Sequence, residues 1–137
     1  MSKKGSLEER TVVKLFEALG YGAIRVPASG ARTNSDKPDV VAGNGVNYYA
    51  VEVKSSKNDY IYIRSEQVDE LLRFSERFGA MPLIVAKFTR LDYIVFRIND
   101  IKKTKSGKYS IQRDEAREGI TLIDFVKEHE VDYDSRT

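Results

Sequence analysis

Pro38-Asp39-Val40-Val41-Ala42-Gly43-Asn44-Gly45, returning as Asn47-Tyr48-Tyr49-Ala50-Val51-Glu52-Val53-Lys54, is the stretch on which the fold turns. Asp39 opens a short apolar run, and Gly43-Asn44-Gly45 supplies a tight turn, because Asn-Gly between apolar runs is a strong hairpin signal. Residues 39–54 are therefore expected to form a β-hairpin. Side chains alternate faces along a strand, so Glu52 and Lys54 share one side while Val51 and Val53 take the other. If the open ends of the hairpin pair, Asp39 lies near Glu52. Two carboxylates and an ammonium then converge at one sheet edge, a set that suits Mg²⁺ and phosphate chemistry. The acidic-x-Lys triplet alone is uninformative, since Asp100-Ile101-Lys102 is a second instance. On these two strands a metal-dependent nuclease site and an edge strand with ordinary solvent-facing charges both stand open.

Outward from the hairpin, the pattern alternates helices and strands. Ser6 is a good N-cap for a first helix, with Glu9 at its third position as a capping box. Val12, Phe16 and Leu19 form its apolar stripe, and Gly20 and Gly22 end it. Residues 23–26 alternate as a strand, and residues 28–38 read as a polar loop of small residues. After the hairpin, Tyr60-Ile61-Tyr62-Ile63 reads as another strand. Ser65 is expected to cap a second helix whose buried stripe is Val68, Leu71, Leu72, Ser75 and Phe78, stopped by Gly79. Pro82-Leu83-Ile84-Val85-Ala86 is a continuous apolar run, as in a strand buried on both faces, and residues 93–98 pair with it. Lysines 102, 103, 105 and 108 surround a Ser106-Gly107 turn, and a terminal helix is expected from about Leu122 to Glu130. The fold class is α/β, a mixed β-sheet flanked by α-helices.

Composition narrows the chemistry. A length of 137 residues fits one domain, with an acidic helical tail at about 114–137. There is no cysteine, which removes disulfides and thiolate metal sites, and the single histidine, His129, removes Ser-His-Asp catalysis and HExxH zinc sites. His129 itself reads as a solvated residue of the terminal helix. No run approaches the roughly 20 apolar residues of a membrane span, so a soluble, intracellular chain without membrane contact is expected. Residues 1–113 hold 20 Lys and Arg against 13 Asp and Glu, a net +7, whereas residues 114–137 hold 3 against 8, a net −5. That asymmetry suits a nucleic-acid binder, although such imbalances also occur elsewhere.

Singly, the other candidate residues have ordinary explanations. Glu9 completes a capping box, Arg10 is a solvated helix residue, and Arg25 makes a surface ion pair. Ser29 is a loop residue. Phe74 and Phe78 lie on one helical face and are candidates for a dimer interface, with Phe74, displaced from the main stripe, as its anchor; the alternative is that both fill the core.

Taken together, however, the blocks resemble a known family. They are Lys4-Gly5-Ser6-Leu7-Glu8-Glu9-Arg10, Ile24-Arg25-Val26-Pro27-Ala28-Ser29-Gly30, the Pro38–Gly45 block, Val51-Glu52-Val53-Lys54-Ser55, Leu72-Arg73-Phe74-Ser75-Glu76-Arg77-Phe78-Gly79 and Pro82-Leu83-Ile84-Val85-Ala86-Lys87. In this order they resemble the archaeal Holliday junction resolvases, small homodimeric PD-(D/E)xK nucleases of restriction-endonuclease-like fold. The resemblance implies that Asp39, Glu52 and the Val53 carbonyl ligate Mg²⁺ or Mn²⁺, that Glu9 completes the metal site, and that Lys54 orients or activates the attacking water. It implies further that Arg10 and Arg25 contact DNA phosphate, and that Ser29 closes over the scissile phosphate. The expected partners are four-way junction DNA and a second copy of the chain, and the expected setting is an archaeal cell or that of an archaeal virus. A two-fold dimer could place one site on each of two opposing strands. The alternatives are a nuclease of the same fold acting on other branched or duplex DNA, and a catalytically silent DNA-binding module. The joint presence of Glu9, Asp39, Glu52 and Lys54 argues against silence.

Overall fold

A computed structural model of the chain describes residues 4–27 and 37–136, with side chains placed for 7–27 and 37–129. The first helix, α1, spans Lys4–Ala18. It begins two residues before the expected cap, so Ser6 is already helical and the expected capping box is not the start of the helix. Its other end follows the prediction. The amides of Gly20 and Tyr21 donate to the carbonyls of Glu17 and Phe16, and Gly20 adopts φ +89°, a Schellman closure that a side chain would strain. Strand β1 (Gly22–Arg25) pairs antiparallel with β2 (Val40–Gly43), which pairs antiparallel with β3 (Tyr48–Ser56). The predicted hairpin is thus present. The Asn44 side-chain oxygen accepts the amides of Val46 and Asn47, and Gly45 supplies φ +91°. Gly43 must be glycine for a packing reason, because a Cβ there would sit 2.5 Å from the Tyr48 ring.

Strand β4 (Tyr60–Ile63) and helix α2 (Ser65–Phe78) then carry the chain over the sheet, and β5 (Met81–Phe88) returns parallel to β3. Parallel neighbours require such a crossover. The N-cap of α2 is Arg64 without a side-chain cap bond, not Ser65, which is its first helical residue. Gly79 closes it as expected, at φ +80° with its amide on the Ser75 carbonyl. Strand β6 (Tyr93–Phe96) pairs antiparallel with β5. Beyond it lie strands β7 (Lys102–Lys103) and β8 (Tyr109–Gln112), helix α3 (Arg113–Arg117), strand β9 (Ile120–Thr121) and helix α4 (Leu122–Arg136). The main sheet has the order β1-β2-β3-β5-β6-β9, and β4-β8-β7 form a separate small sheet. The mixed sheet flanked by helices is as expected. The assignment of β4 to a second sheet is new, because its partner β8 is too short and too polar to announce itself.

Alternation along β3 and β5 divides the interior between the two faces of the sheet. Val12, Phe16, Tyr49, Val51, Val53, Leu83, Val85, Leu122, Phe125 and Val126 pack on the face covered by α1 and α4. Ala50, Ile61, Ile63, Val68, Leu71, Ile84, Ala86 and Ile111 pack on the face covered by α2 and the small sheet. Leu83 to Ala86 are all buried, as a central strand requires. Two details depart from expectation. Leu72 and Phe78 are 40% and 53% exposed, so the buried stripe of α2 is Val68, Leu71 and Ser75, with Phe74 half-buried against the second core. His129 is not a solvated residue: its ring lies half-buried, 4.6 Å from that of Phe125 and edge-on to Tyr49 at 6.1 Å. The acidic segment therefore contributes Leu122, Phe125 and Val126 to the core.

Candidate active site

Strand β2 starts one residue after Asp39, and this offset builds the site. The Asp39 amide donates at 3.0 Å to the carbonyl of Val51, the register partner of Val40, while its Oδ2 accepts the Val53 amide at 2.8 Å. A side-chain carboxylate thus takes the place that the next backbone carbonyl of β2 would have held. Asp39 lies just beyond the Val40–Val51 pair and close enough to Glu52 for its charge to act on the Glu52 carboxyl, as the hairpin argument required. In a strand the N–H and C=O of one residue leave on the same edge. The Val53 carbonyl therefore leaves β3 on the edge where Asp39 sits.

Glu52 and Lys54 project from β3 toward α2. The Lys54 Nζ lies 3.7 Å from Glu52 Oε2 and donates to Gln67 Oε1 at 3.3 Å. Gln67, in the first turns of α2, escaped the sequence reading. It is a polar residue beside the buried Val68, and only the crossover brings it over β3. A neutral acceptor holds the ammonium there without adding a third negative charge. Glu9, on α1, reaches the site's rim, where its Oε1 accepts from Arg25 Nε at 3.1 Å. Its partner is thus the strand residue Arg25, not the start of its own helix. Arg10 is exposed on α1. Ser29 and the rest of residues 28–36 lie outside the described residues.

Burial sets the electrostatics of the carboxylate pair. Burial pushes the Glu52 carboxyl up to about 8, with the Asp39 charge adding to the rise and Lys54 opposing it. Burial likewise raises Asp39 to about 6, against the Val53 hydrogen bond, which lowers it, and with the Glu9 charge adding to the rise. Two buried carboxylates that disfavour each other's ionisation are a site at which positive charge is stabilised. The donors are hard oxygens: Asp39 Oδ1, the Glu52 carboxylate and the Val53 carbonyl. They suit Mg²⁺ or Mn²⁺ and no soft metal. Among the described residues no three acidic or histidine side chains stand close enough to form a complete cage.

Comparison with known proteins places the chain in a family. Residues 1–132 match the family model of archaeal Holliday junction resolvases, Hjc. The chain belongs to that family. The crossover junction endodeoxyribonuclease Hjc of Sulfurisphaera tokodaii is 32% identical over 126 residues, 90% of this chain and 86% of that protein. The Hjc of Archaeoglobus fulgidus is 37% identical over 107 residues, 78% of each chain. The structure of the A. fulgidus resolvase superposes with a TM-score of 0.79 at 29% identity, covering 88% of this chain and 96% of that one. Family membership and the mixed-sheet fold expected from the residue blocks are thereby established. Among the described residues, no helix is long and apolar enough to cross a membrane.

Proposed function

We propose that this protein is a divalent-metal-dependent endonuclease that resolves four-way DNA junctions by paired phosphodiester hydrolysis. The observation that carries the reading is the convergence of Asp39, Glu52 and Lys54, with both carboxyls raised chiefly by burial, and further by the Glu9 charge on Asp39 and the Asp39 charge on Glu52. Asp39, Glu52 and the Val53 carbonyl hold the cation, with Glu9 as an additional ligand. When bound, Mg²⁺ or Mn²⁺ supplies a Lewis acid for the phosphodiester. The chain's own groups do the rest. Lys54, held by Gln67 and Glu52, orients the attacking water and offsets charge on the phosphate. Arg10 and Arg25 hold neighbouring phosphates, and Ser29 closes over the scissile one. In-line attack leaves a 5′-phosphate and a 3′-hydroxyl.

Two matched cuts need two sites, and the described residues of one chain carry one. A second copy docks through the exposed apolar surface at the outer edge of the main sheet. There Ile24, Tyr48 and Phe78, exposed by 61%, 42% and 53%, surround a cleft of about 250 Å³. A contiguous surface of this kind is the usual mark of an interface. Phe74, stacked on Phe78 at 5.1 Å between centroids, supports it from within. The resulting two-fold axis matches that of the junction. The test is cleavage of a synthetic four-way junction and of a linear duplex of the same sequence in one reaction, with Mg²⁺ and with EDTA. Symmetric cuts confined to the junction and abolished by EDTA are expected; equal cutting of both substrates, or cutting in EDTA, would overturn the reading.

A further inference from the structure

The end of β3 beyond Lys54 carries a second feature. The turn at 57–59 and the turn at 89–92 lie side by side, because β3 and β5 are parallel and end together with Ser56 opposite Phe88. Arg113 ties them. Its guanidinium donates to Asp59 Oδ1 and to the carbonyls of Lys57, Asn58 and Thr89, at 2.9–3.3 Å, and lies over the Phe88 ring. The Thr89 amide and hydroxyl both point at the Ser56 carbonyl. These bonds hold two turns rigid that would otherwise be mobile ends. What they present is positive charge. Lys57 and Arg90 are exposed, and neither has an ion-pair partner among the described residues. Arg90 also adopts φ +70°, a left-handed conformation uncommon for a side chain of this size. That conformation belongs to the turn closed by the Leu91 amide on the Phe88 carbonyl.

Between these turns and the start of α1 runs a cleft of about 450 Å³. Its wall carries the Ser55 hydroxyl, Lys57, Lys87 and Arg90 against one carboxylate, Glu8. Lys87 is occupied, donating to the Phe88 and Leu91 carbonyls, so the ligand-facing cations are Lys57 and Arg90. A further cleft of about 540 Å³, sharing Lys57, Thr89 and Arg90, continues the surface past Arg113. The first cleft lies next along β3 from the active site: Ser55 follows Lys54, with its side chain on the other face of the sheet, and Glu8 precedes Glu9. Lys57 is three residues beyond Lys54, about 10 Å along an extended chain.

We propose that this cleft is a second phosphate-binding site, which holds the DNA backbone leading away from the scissile position. Its ligand is the phosphodiester backbone of a junction arm, read without regard to sequence, since the donors offered are ammonium, guanidinium and hydroxyl. The proposal rests on the DNA-nuclease reading above and adds a path for the arm. Arg113 acts as the brace that keeps the two cations in place.

Salt dependence tests it. Each phosphate contact contributes about one to the slope of log K against log salt. Junction binding is measured by fluorescence anisotropy in EDTA over a range of KCl, for wild type, K57Q/R90Q, and K105Q/K108Q as a control of equal charge change elsewhere. Glutamine removes the charge while keeping an unbranched polar side chain, and it leaves the backbone demand at position 90 unchanged. The expected result for K57Q/R90Q is a slope reduced by about two per protomer, an equal weakening on junctions of unrelated sequence, and little change in the cutting rate at saturating junction. K105Q/K108Q should keep the wild-type slope. If K57Q/R90Q has the wild-type slope, or loses no more than the control, the cleft is not a phosphate site. If wild type binds and cuts linear duplex as well as junction, the junction reading fails, while the slope comparison on duplex still decides the cleft. A wild type that binds no DNA overturns both.

Discussion

In the folded, metal-free chain Glu52 holds its proton to about pH 8 and Asp39 to about pH 6, well above where an unfolded chain would release them. Between about pH 4 and pH 8 the unfolded state therefore binds fewer protons than the folded one, and stability must fall as pH rises through this window. Glu52→Gln removes the larger part of that penalty. In EDTA, its melting temperature should exceed the wild type's by a margin that grows from pH 5 to pH 8, reaching roughly 3–10 °C. The same variant should lose cleavage while keeping junction affinity, because the affinity comes from basic contacts with phosphate. A margin that does not change with pH would contradict the carboxylate pair. Glu9 makes a second residue-scale prediction. Its ion pair with Arg25 is partly solvated and is worth about 0–1 kcal/mol. Glu9→Gln should therefore barely move the melting temperature yet abolish cutting; full activity in that variant would leave Glu9 as no more than Arg25's partner. Asp39, Glu52 and Lys54 were legible in the sequence because a hairpin's register follows from its turn, and register places side chains two by two. Gln67 was not, because its contact with Lys54 depends on how a crossover helix settles on the sheet, and no local pattern encodes that.

At the scale of elements, α2 divides its residues between core and surface. Phe78 is 53% exposed, whereas Phe74 packs against Val68, Leu71 and their neighbours. The proposed dimer surface accordingly assigns different roles to two stacked rings. Phe78→Ser should split the dimer in sedimentation analysis with a nearly unchanged monomer fold. Phe74→Ala should destabilise the chain by about 2–4 kcal/mol, the usual loss when a large, incompletely buried core side chain is removed. If Phe78→Ser leaves a dimer of wild-type affinity, the interface lies elsewhere. The helical period of α2 located its stripe but overran it at Leu72 and Phe78, because amphipathicity does not distinguish a buried apolar position from an exposed one at the edge of the stripe. The start of α1 was misread for a related reason: Ser6 has the chemistry of a cap, but the helix extends past it to Lys4. The strong elements, β3 and β5, were legible from their apolar runs. The two-residue strands β7 and β9 were not, since they exist only by pairing with neighbours already in place.

For the whole molecule, charge and symmetry carry the account. The basic body, net +7 over residues 1–113, and the acidic terminal segment were visible in the composition. The burial of that segment's Leu122, Phe125 and Val126 against the sheet was not, because acidity describes the outer face of α4 and says nothing of the inner one. The central claim is that two copies of one Asp39–Glu52–Lys54 site cut a four-way junction in concert. A supercoiled plasmid that extrudes a cruciform from an inverted repeat tests it most directly, because paired cuts across the cruciform yield linear DNA and a single cut yields a nicked circle. With Mg²⁺, the account predicts linear product from the cruciform plasmid, little accumulation of nicked circle, and no cutting of the same plasmid without the repeat. Nicked circles as the end product, or equal cutting of both plasmids, would contradict it.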